Sequence, residues 1–592
     1  MRLRRVSADE QVIDLPRARL VPDPRHSPLD VTRLAEVFAT SFPDHQARVE
    51  AVMMDFHRNG GALGRMLIDD GGVDARTLAY TMARQLQMPL ADLRVDRPDP
   101  AATAWVQPLD AHRYAVLPLR YDGSVLTVAV IDPLDFDMVN FLETLPVVQV
   151  SLQVAPAAEI RNAINRTYPA LAEVGQHLRE FAMAEVASGP AAEVITHDFD
   201  DDDAPVIQVV NKIVTQALRD RASDVHIEPT DGRVRVRYRV DGALKEVLSL
   251  PVAMGPALAS RIKIMADLNI VERRRPQDGQ FQMQIDGHDL DVRVSTTSTI
   301  WGEKTVLRLL DKRRSLYHLA DLGMPPETHE LYSRIVASPF GMVVVSGPTG
   351  SGKTTTLYAT LTEINRPDMN VTTIEDPVEY VFPSINQIQI SEKAGLSFAT
   401  GLKSILRQDP DVILVGEVRD VETARIAVQS ALTGHLVLSS VHAVDSVSAL
   451  YRLLDMGIEP FLVTSSIVGV VAQRLVRRIC TSCAAPYEPT PVELATYRRL
   501  GGADRIEWMR GTGCNLCSGT GYYDRIGVYE VLAVNDDIRA LVVEGRTPRE
   551  ARAVAVAKGL RTLQMEAVRL VGEGKTTIDE VIRHVFVTED LV

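Results

Sequence analysis

An apolar strand that runs into a glycine-rich turn and out into a helix constrains this chain more than any other feature. Gly341–Val345 is a short apolar run, and Thr354–Ile364 carries a helical pattern. Between them stands Gly347-Pro348-Thr349-Gly350-Ser351-Gly352-Lys353-Thr354-Thr355, which fits G-x-x-x-x-G-K-[ST] in the strand–turn–helix context that this motif requires. Glycines let backbone N–H groups close around a β-phosphate, and the helix N-terminus adds the positive end of its dipole. Lys353 reaches the β- and γ-phosphates, and the Thr354 hydroxyl can hold Mg²⁺. Residues Gly347 to Thr355 are therefore expected to bind ATP.

Two later strands end in acids. Asn370–Ile374 leads into Glu375-Asp376-Pro377-Val378-Glu379, and Asp411–Val415 leads into Gly416-Glu417-Val418-Arg419-Asp420. Phosphoryl transfer to water needs a metal on the β/γ oxygens and a carboxylate that orients the water. Carboxylates at the C-terminal ends of neighbouring parallel strands converge beside such a loop. Glu417 is assigned to Mg²⁺. Glu375 is the first choice for the water-activating base and Glu379 the second. Asp376 and Asp420 are open between this chemistry and capping or ion pairing, as are Arg407 and Arg419 between phosphate contact and pairing with acids. The strand Leu436–Val441 carries His435 at one end and His442 at the other. A histidine near a γ-phosphate can sense hydrolysis through a hydrogen bond. His442 is assigned that role, and His435 is left between it and a structural one.

The chain has four cysteines, Cys480, Cys483, Cys514 and Cys517, in two C-x₂-C units. Four soft ligands suit tetrahedral zinc with no vacant position for water, hence a structural site. The interval between the units leaves room for a helix such as Pro491–Leu500. Four thiols cannot staple 592 residues, so a secreted disulfide scaffold is excluded. No run of about 18 apolar residues predicts a membrane-spanning helix, and the basic N-terminus lacks the apolar region of a signal peptide. A reducing, cytosolic location is expected. The net charge of −14 argues against a nucleic-acid coat.

Composition and periodicity divide the chain. Residues 1–48 are polar and proline-rich and read as a flexible tail with one short helix, Val31–Phe42. Residues 49–168 read as a small α/β domain. It has helically spaced Leu63, Leu67, Leu78 and Met82, a hairpin of Tyr114–Leu119 and Ser124–Ile131 around Asp122-Gly123, and a closing helix Arg161–Tyr168. Residues 169–204, with five aspartates in Asp198–Asp203, read as an acidic linker. A second α/β unit covers 205–316, with helices over Val206–Arg219 and Gly255–Leu268. In it Arg233, Arg235, Arg237 and Arg239 alternate along one strand face as an exposed basic stripe. Residues 317–592 alternate strand and helix, as a parallel-sheet core does; the cysteine element occupies 478–525.

Together these motifs resemble the secretion ATPases, the motors of type II secretion and type IV pilus assembly. The resemblance rests on Ala222–Pro229, Arg237–Gly242, Ser260–Ala266 and Glu272–Gly279. It continues through the phosphate loop, Glu375–Glu379, Arg407–Asp411 with Gly416–Asp420, Thr433–His442, Ala472–Arg477 and the four cysteines. It implies an α/β multidomain chain: a RecA-like P-loop ATPase core, a PAS-like domain, a small N-terminal domain and a zinc-knuckle insertion. It implies a cytoplasmic homo-hexamer at the inner face of the membrane, hydrolysing ATP with Mg²⁺ to extend a pilus or pseudopilus through an inner-membrane platform. It also implies that arginines of the PAS-like domain complete the ATP site; by motif position these are Arg239 and Arg261, with Arg274 and Arg293 behind them. The family's usual S-T-L-H-T-N is Ser439-Ser-Val-His-Ala-Val here, and a usual Gly is Asp524. Leu63-Gly64-x₂-Leu67-x₃-Gly71-x₆-Leu78-x₃-Met82-x₂-Gln85 follows a repeat that binds cyclic di-GMP in some relatives. Ala62 stands where that repeat has an Arg, which would stack on guanine or grip phosphate. Docking onto a platform partner is favoured over cyclic di-GMP for this domain. The rival readings are a hexameric nucleic-acid translocase on the same core and a pilus retraction motor. The acidic charge weighs against the first, and the cysteine element and long N-terminal region against the second.

Overall fold

The computed structural model describes residues 19–21, 50–52, 54–55, 66–67, 75–93, 96, 98–188, 205–286, 288–311, 318–503 and 507–585. The expected helix at 31–42, the Asp198–Asp203 run, Ala62, Leu63, Gly64 and Gly71 lie outside them. The chain divides into two units, Met1–Leu309 with Cys514–Ser518, and Leu310–Gly513 with Gly519–Val592.

The first unit contains two sheets, each with its own core. Strands β1 (Arg19–Val21), β2 (Val116–Tyr121), β3 (Val125–Val130) and β4 (Gln149–Val154) form one in the order β1-β4-β3-β2. The β2–β3 hairpin turns at Gly123, where φ is +96°, and the Asp122 carboxylate accepts the N–H groups of Ser124 and Val125 at 3.0 and 2.7 Å. Leu67, Leu78 and Met82 are buried, the last two on the helix Ala75–Gln85. The expected flexible tail is not structureless throughout: Arg19–Val21 adds β1 in parallel register to β4 and buries Leu20. Three residues carry no periodicity that could announce such a strand.

The second sheet has β5 (Asp224–Thr230), β6 (Arg233–Val240), β7 (Ala243–Pro251), β8 (Gln277–Ile285), β9 (His288–Thr299) and β10 (Gly302–Asp311), ordered β7-β6-β5-β10-β9-β8. The inward side chains of β6, Val234, Val236 and Tyr238, are buried, and the Tyr238 hydroxyl donates to the Ile213 carbonyl of the helix Pro205–Arg219 at 2.6 Å. A second helix, Val174–Ser188, occupies part of the expected acidic linker. Val174 is buried in this core, and Leu171, Leu178 and Phe181 pack beside it. Their helical spacing, rather than the acidic run beyond, governs 170–188.

In the second unit, β11 (Gly341–Ser346), β12 (Val371–Glu375), β13 (Asn386–Gln389), β14 (Val412–Val415), β15 (Leu436–Val441) and β16 (Ile467–Ile479) run parallel; after the small ribbon of β17 (Ala484–Pro486) and β18 (Met509–Gly511), β19 (Tyr522–Ala533) returns antiparallel to β16. The order is β13-β12-β14-β15-β11-β16-β19. Every residue of β11, β12, β14 and β15 is buried, as expected of parallel strands with helices on both faces. Ser346 pairs with Val441, Val415 with Ser439, and Ile374 with Val415, so these strands end along one edge. That edge carries the phosphate loop. No helix among the described residues is long and apolar enough to cross a membrane.

Candidate functional site

The loop after β11 is shaped by glycine. Gly350 and Gly352 take φ values of +78° and +89°, in the left-handed region. A Cβ on Gly347 would lie 2.5 Å from Ser351 Oγ and 2.6 Å from the Gln473 carbonyl. The Ser351 hydroxyl is itself buried without a hydrogen-bond partner. The helix Lys353–Ile364 begins at once, with Thr354 and Thr355 exposed at its first turn. Lys353 Nζ donates to the carbonyls of Gly347 at 2.8 Å and Pro348 at 3.1 Å. Burial draws its ammonium below the usual value, and the nearby Glu417 carboxylate offsets only part of that shift. A glycine-shaped loop, a lysine and the exposed Thr354 hydroxyl at a helix N-terminus fit a triphosphate and Mg²⁺.

Glu417 follows β14 and is mostly buried. One of its oxygens pairs with Arg419 and the other lies 3.8 Å from His442 Nε2, half exposed just past β15. The ends of these strands are fastened by Ser439, whose hydroxyl donates to the Val415 carbonyl at 2.8 Å, and Ser440, which donates to that of Gly416 at 2.9 Å. Lys353, Glu417 and His442 thus share the sheet edge. Arg419 is Glu417's ion-pair partner. Asp420 caps the helix Val421–Leu432, accepting the Thr423 N–H at 2.8 Å. Arg407 is exposed ahead of β14, and His435 ahead of β15 bonds the Ser430 carbonyl, so both lie at the opposite edge.

The two candidate bases differ in environment. Glu375 ends β12 with its carboxylate buried, accepting from the Thr373 hydroxyl at 2.6 Å, Gln387 Nε2 at 3.2 Å and the Tyr358 hydroxyl. Glu379 is only partly buried, on the loop that follows. The Glu375 carboxylate is thus committed to three donors, whereas Glu379 is the more accessible of the two.

Two residues with a part here have no role assigned by sequence pattern. Gln473, inside the quoted Ala472–Arg477 stretch, braces the loop from β16. Tyr358 lies on the loop's own helix, where only its size would have drawn notice.

The ligand atoms of Cys480, Cys483, Cys514 and Cys517 lie within 4.8 Å of one another, with the sulfurs of Cys514 and Cys517 3.8 Å apart. A tetrahedral Zn–S bond of about 2.3 Å requires sulfurs separated by about 3.8 Å. The donor set therefore fits zinc. The helix expected between the pairs spans Pro491–Arg499.

The arginine stripe on β6 needs correction. Arg237 donates to Glu228 through Nε and Nη2 at 2.9 and 3.0 Å, Arg235 reaches it at 3.1 Å, and Lys304 stands 3.0 Å away. Arg233 pairs with Glu246 at 2.8 Å; Arg239 donates to the Gly242 carbonyl at 2.8 Å and lies 3.7 Å from Asp224. Burial alone would raise the Glu228 carboxyl, but Arg237 and Lys304 hold it down at about 2. The stripe is charge-compensated rather than a free basic surface, because acids of β5 and β7 face it across the sheet.

The family described as Type II/IV secretion system protein matches residues 200–583, and the MshEN domain matches 86–174. The chain is 40% identical over 534 residues to the type IV pilus assembly ATPase PilB of Myxococcus xanthus, covering 89% of this chain and 94% of that protein. To the PilB of Thermus thermophilus it is 40% identical over 536 residues, 89% of this chain but 59% of that longer protein. To the type II secretion system protein E of Xanthomonas campestris pv. campestris it is 41% identical over 544 residues, 89% and 92% of the two.

Proposed function

The chain belongs to the Type II/IV secretion system protein family, and from that premise we propose that it is an ATP hydrolase whose turnover drives assembly of a type IV pilus or a type II secretion pseudopilus. The observation that carries this reading is the meeting of Lys353, Glu417 and His442 with the phosphate loop at one sheet edge. Similarity across nearly the full length of assembly ATPases supports extension over retraction.

In this reading Gly347–Thr355 cradle the phosphates, and Lys353 leaves the Gly347 and Pro348 carbonyls for the β/γ oxygens. Thr354 and Glu417 would hold Mg²⁺, which supplies charge neutralisation on those oxygens when bound. Glu379 orients water and takes its proton, while Glu375 fixes the end of β12. His442, beside Glu417, reports the state of the γ-phosphate to β15. Arg239 and Arg261 act on a neighbouring subunit's site within a homo-hexamer, Arg239 after exchanging its Gly242 contact for phosphate. The four cysteines bind a structural zinc. The protein works at the cytoplasmic face of the inner membrane against platform and docking proteins. The MshEN match supports cyclic di-GMP as a ligand of the N-terminal domain; calorimetric titration with cyclic di-GMP tests this, and no heat of binding leaves platform docking as its role.

A chromosomal Lys353→Ala substitution tests the function. Loss of surface filaments with secretion intact assigns the pilus; the converse assigns the pseudopilus. Retention of both phenotypes refutes the motor.

A further inference from the structure

Tyr358 is 3% exposed on the helix that opens with Lys353, five residues further along. At 1.5 Å per residue it stands about 7.5 Å along the axis from the phosphate-binding lysine. Its ring meets Tyr380 and Phe382 edge-on, with centroids 6.1 and 5.1 Å away. Its hydroxyl donates to Glu375 Oε2 and accepts the backbone N–H of Glu379 at 3.2 Å. Thr373 and Gln387 both bind the other oxygen of Glu375, so Oε2 is left to the tyrosine. An ionised carboxylate can only accept. The phenol must therefore point its proton at Glu375 and turn a lone pair to Glu379. Burial, with the Glu375 charge beside it, pushes the phenol well above its usual range, so it remains a donor.

We propose that Tyr358 is a positioning residue for hydrolysis: held by Glu375, its hydroxyl fixes the backbone at Glu379 and so the place of that carboxylate relative to the phosphate loop. The proposal rests on Glu379 being the water-orienting base. It gives Glu375 a purpose without proton transfer. It also ties the base loop to the helix that grips the phosphates, so that the two move together.

Tyr358→Phe keeps the ring and both edge contacts while removing the hydroxyl's hydrogen bonds, those to Glu375 and Glu379 among them. Misplacement of a catalytic group by about 1 Å costs on the order of a hundredfold. The expected result for Tyr358→Phe is a kcat for ATP lowered by about ten- to a hundredfold. Nucleotide affinity should stay within about twofold, which also reports that the variant folds. Thr373→Val removes another donor to Glu375 without touching Glu379 and should leave kcat within about twofold. In a Glu379→Asp background the Tyr358 change should cost less than in the wild type, because the carboxylate is already displaced. Equal losses in both backgrounds, equal losses from Thr373→Val and Tyr358→Phe, or an unaffected kcat in Tyr358→Phe while Glu379→Gln is inactive, would each overturn the proposal. Should Glu379→Gln retain turnover, the base reading itself fails and this proposal falls with it.

Discussion

Gln473 Nε2 donates to the backbone carbonyl of Ser351 at 2.6 Å, joining β16 to the phosphate loop across 122 positions of sequence. The other end of the same amide accepts the Thr356 hydroxyl at 2.8 Å, on the helix that follows the loop. One buried side chain therefore holds both flanks of the turn that Gly347, Gly350 and Gly352 make possible.

Replacing Gln473 with Leu should loosen that turn. Two buried hydrogen bonds are lost, each contributing about 1 kcal/mol. If half of that falls on the loop's binding-competent shape, nucleotide affinity weakens by about fivefold. Equilibrium titration with a fluorescent ADP analogue checks this; unchanged affinity means the loop holds its shape without Gln473.

The cysteine cluster predicts one zinc per chain. Metal analysis of the purified protein should find it, and Cys480→Ser or Cys514→Ser should lose it and lower the thermal midpoint. Protein purified free of zinc with an unchanged midpoint contradicts a structural metal.

Asp524 holds φ at +68°, in the left-handed region that favours glycine. Left-handed backbone costs an L-residue about 1 kcal/mol, less for Asp, whose carboxylate here accepts the Arg525 N–H at 2.8 Å. Asp524→Gly should accordingly be neutral to stabilising, and Asp524→Val destabilising. Thermal denaturation of the two variants separates them; a Val variant as stable as wild type would contradict the strain.

Glu228 makes the six-stranded sheet of the first unit acid-sensitive. Its folded carboxyl lies at about 2, below the unfolded value of 4.5. Its stabilisation is thus complete above the unfolded value and is lost as pH falls from there toward about 2. Chemical denaturation at several pH values should show this slope, reduced in Glu228→Gln. The same variant should lose about 2 kcal/mol at neutral pH, where Arg235, Arg237 and Lys304 face an uncharged amide.

The parts of this protein legible in sequence are those set by local pattern. The phosphate loop is bracketed by a strand and a helix within a few residues, and Leu436–Val441 is a strand over that same span. The cysteine pairs also declare themselves by neighbours close in the chain, whereas Asp420 is settled as a helix cap only by the structure. What stayed hidden depends on distant partners. The β6 arginines alternate as expected, but nothing local says that Glu228 and Glu246 face them. Gln473 and Tyr358 act through residues brought near by the sheet. Glu375 is the first choice of base because it ends a strand, and the Tyr358 and Gln387 side chains that bond its carboxylate are brought near only by the fold.

The central claim is that ATP is hydrolysed at the edge where Lys353, Glu417 and His442 meet. Steady-state phosphate release by the purified full-length chain, compared with Lys353→Ala and Glu379→Gln, tests it most directly. Removing a group that stabilises the transition state costs on the order of a hundredfold or more, so turnover should fall by at least that factor in both variants, with nucleotide still bound by Glu379→Gln. Turnover preserved in Lys353→Ala would contradict the site, and with it the motor.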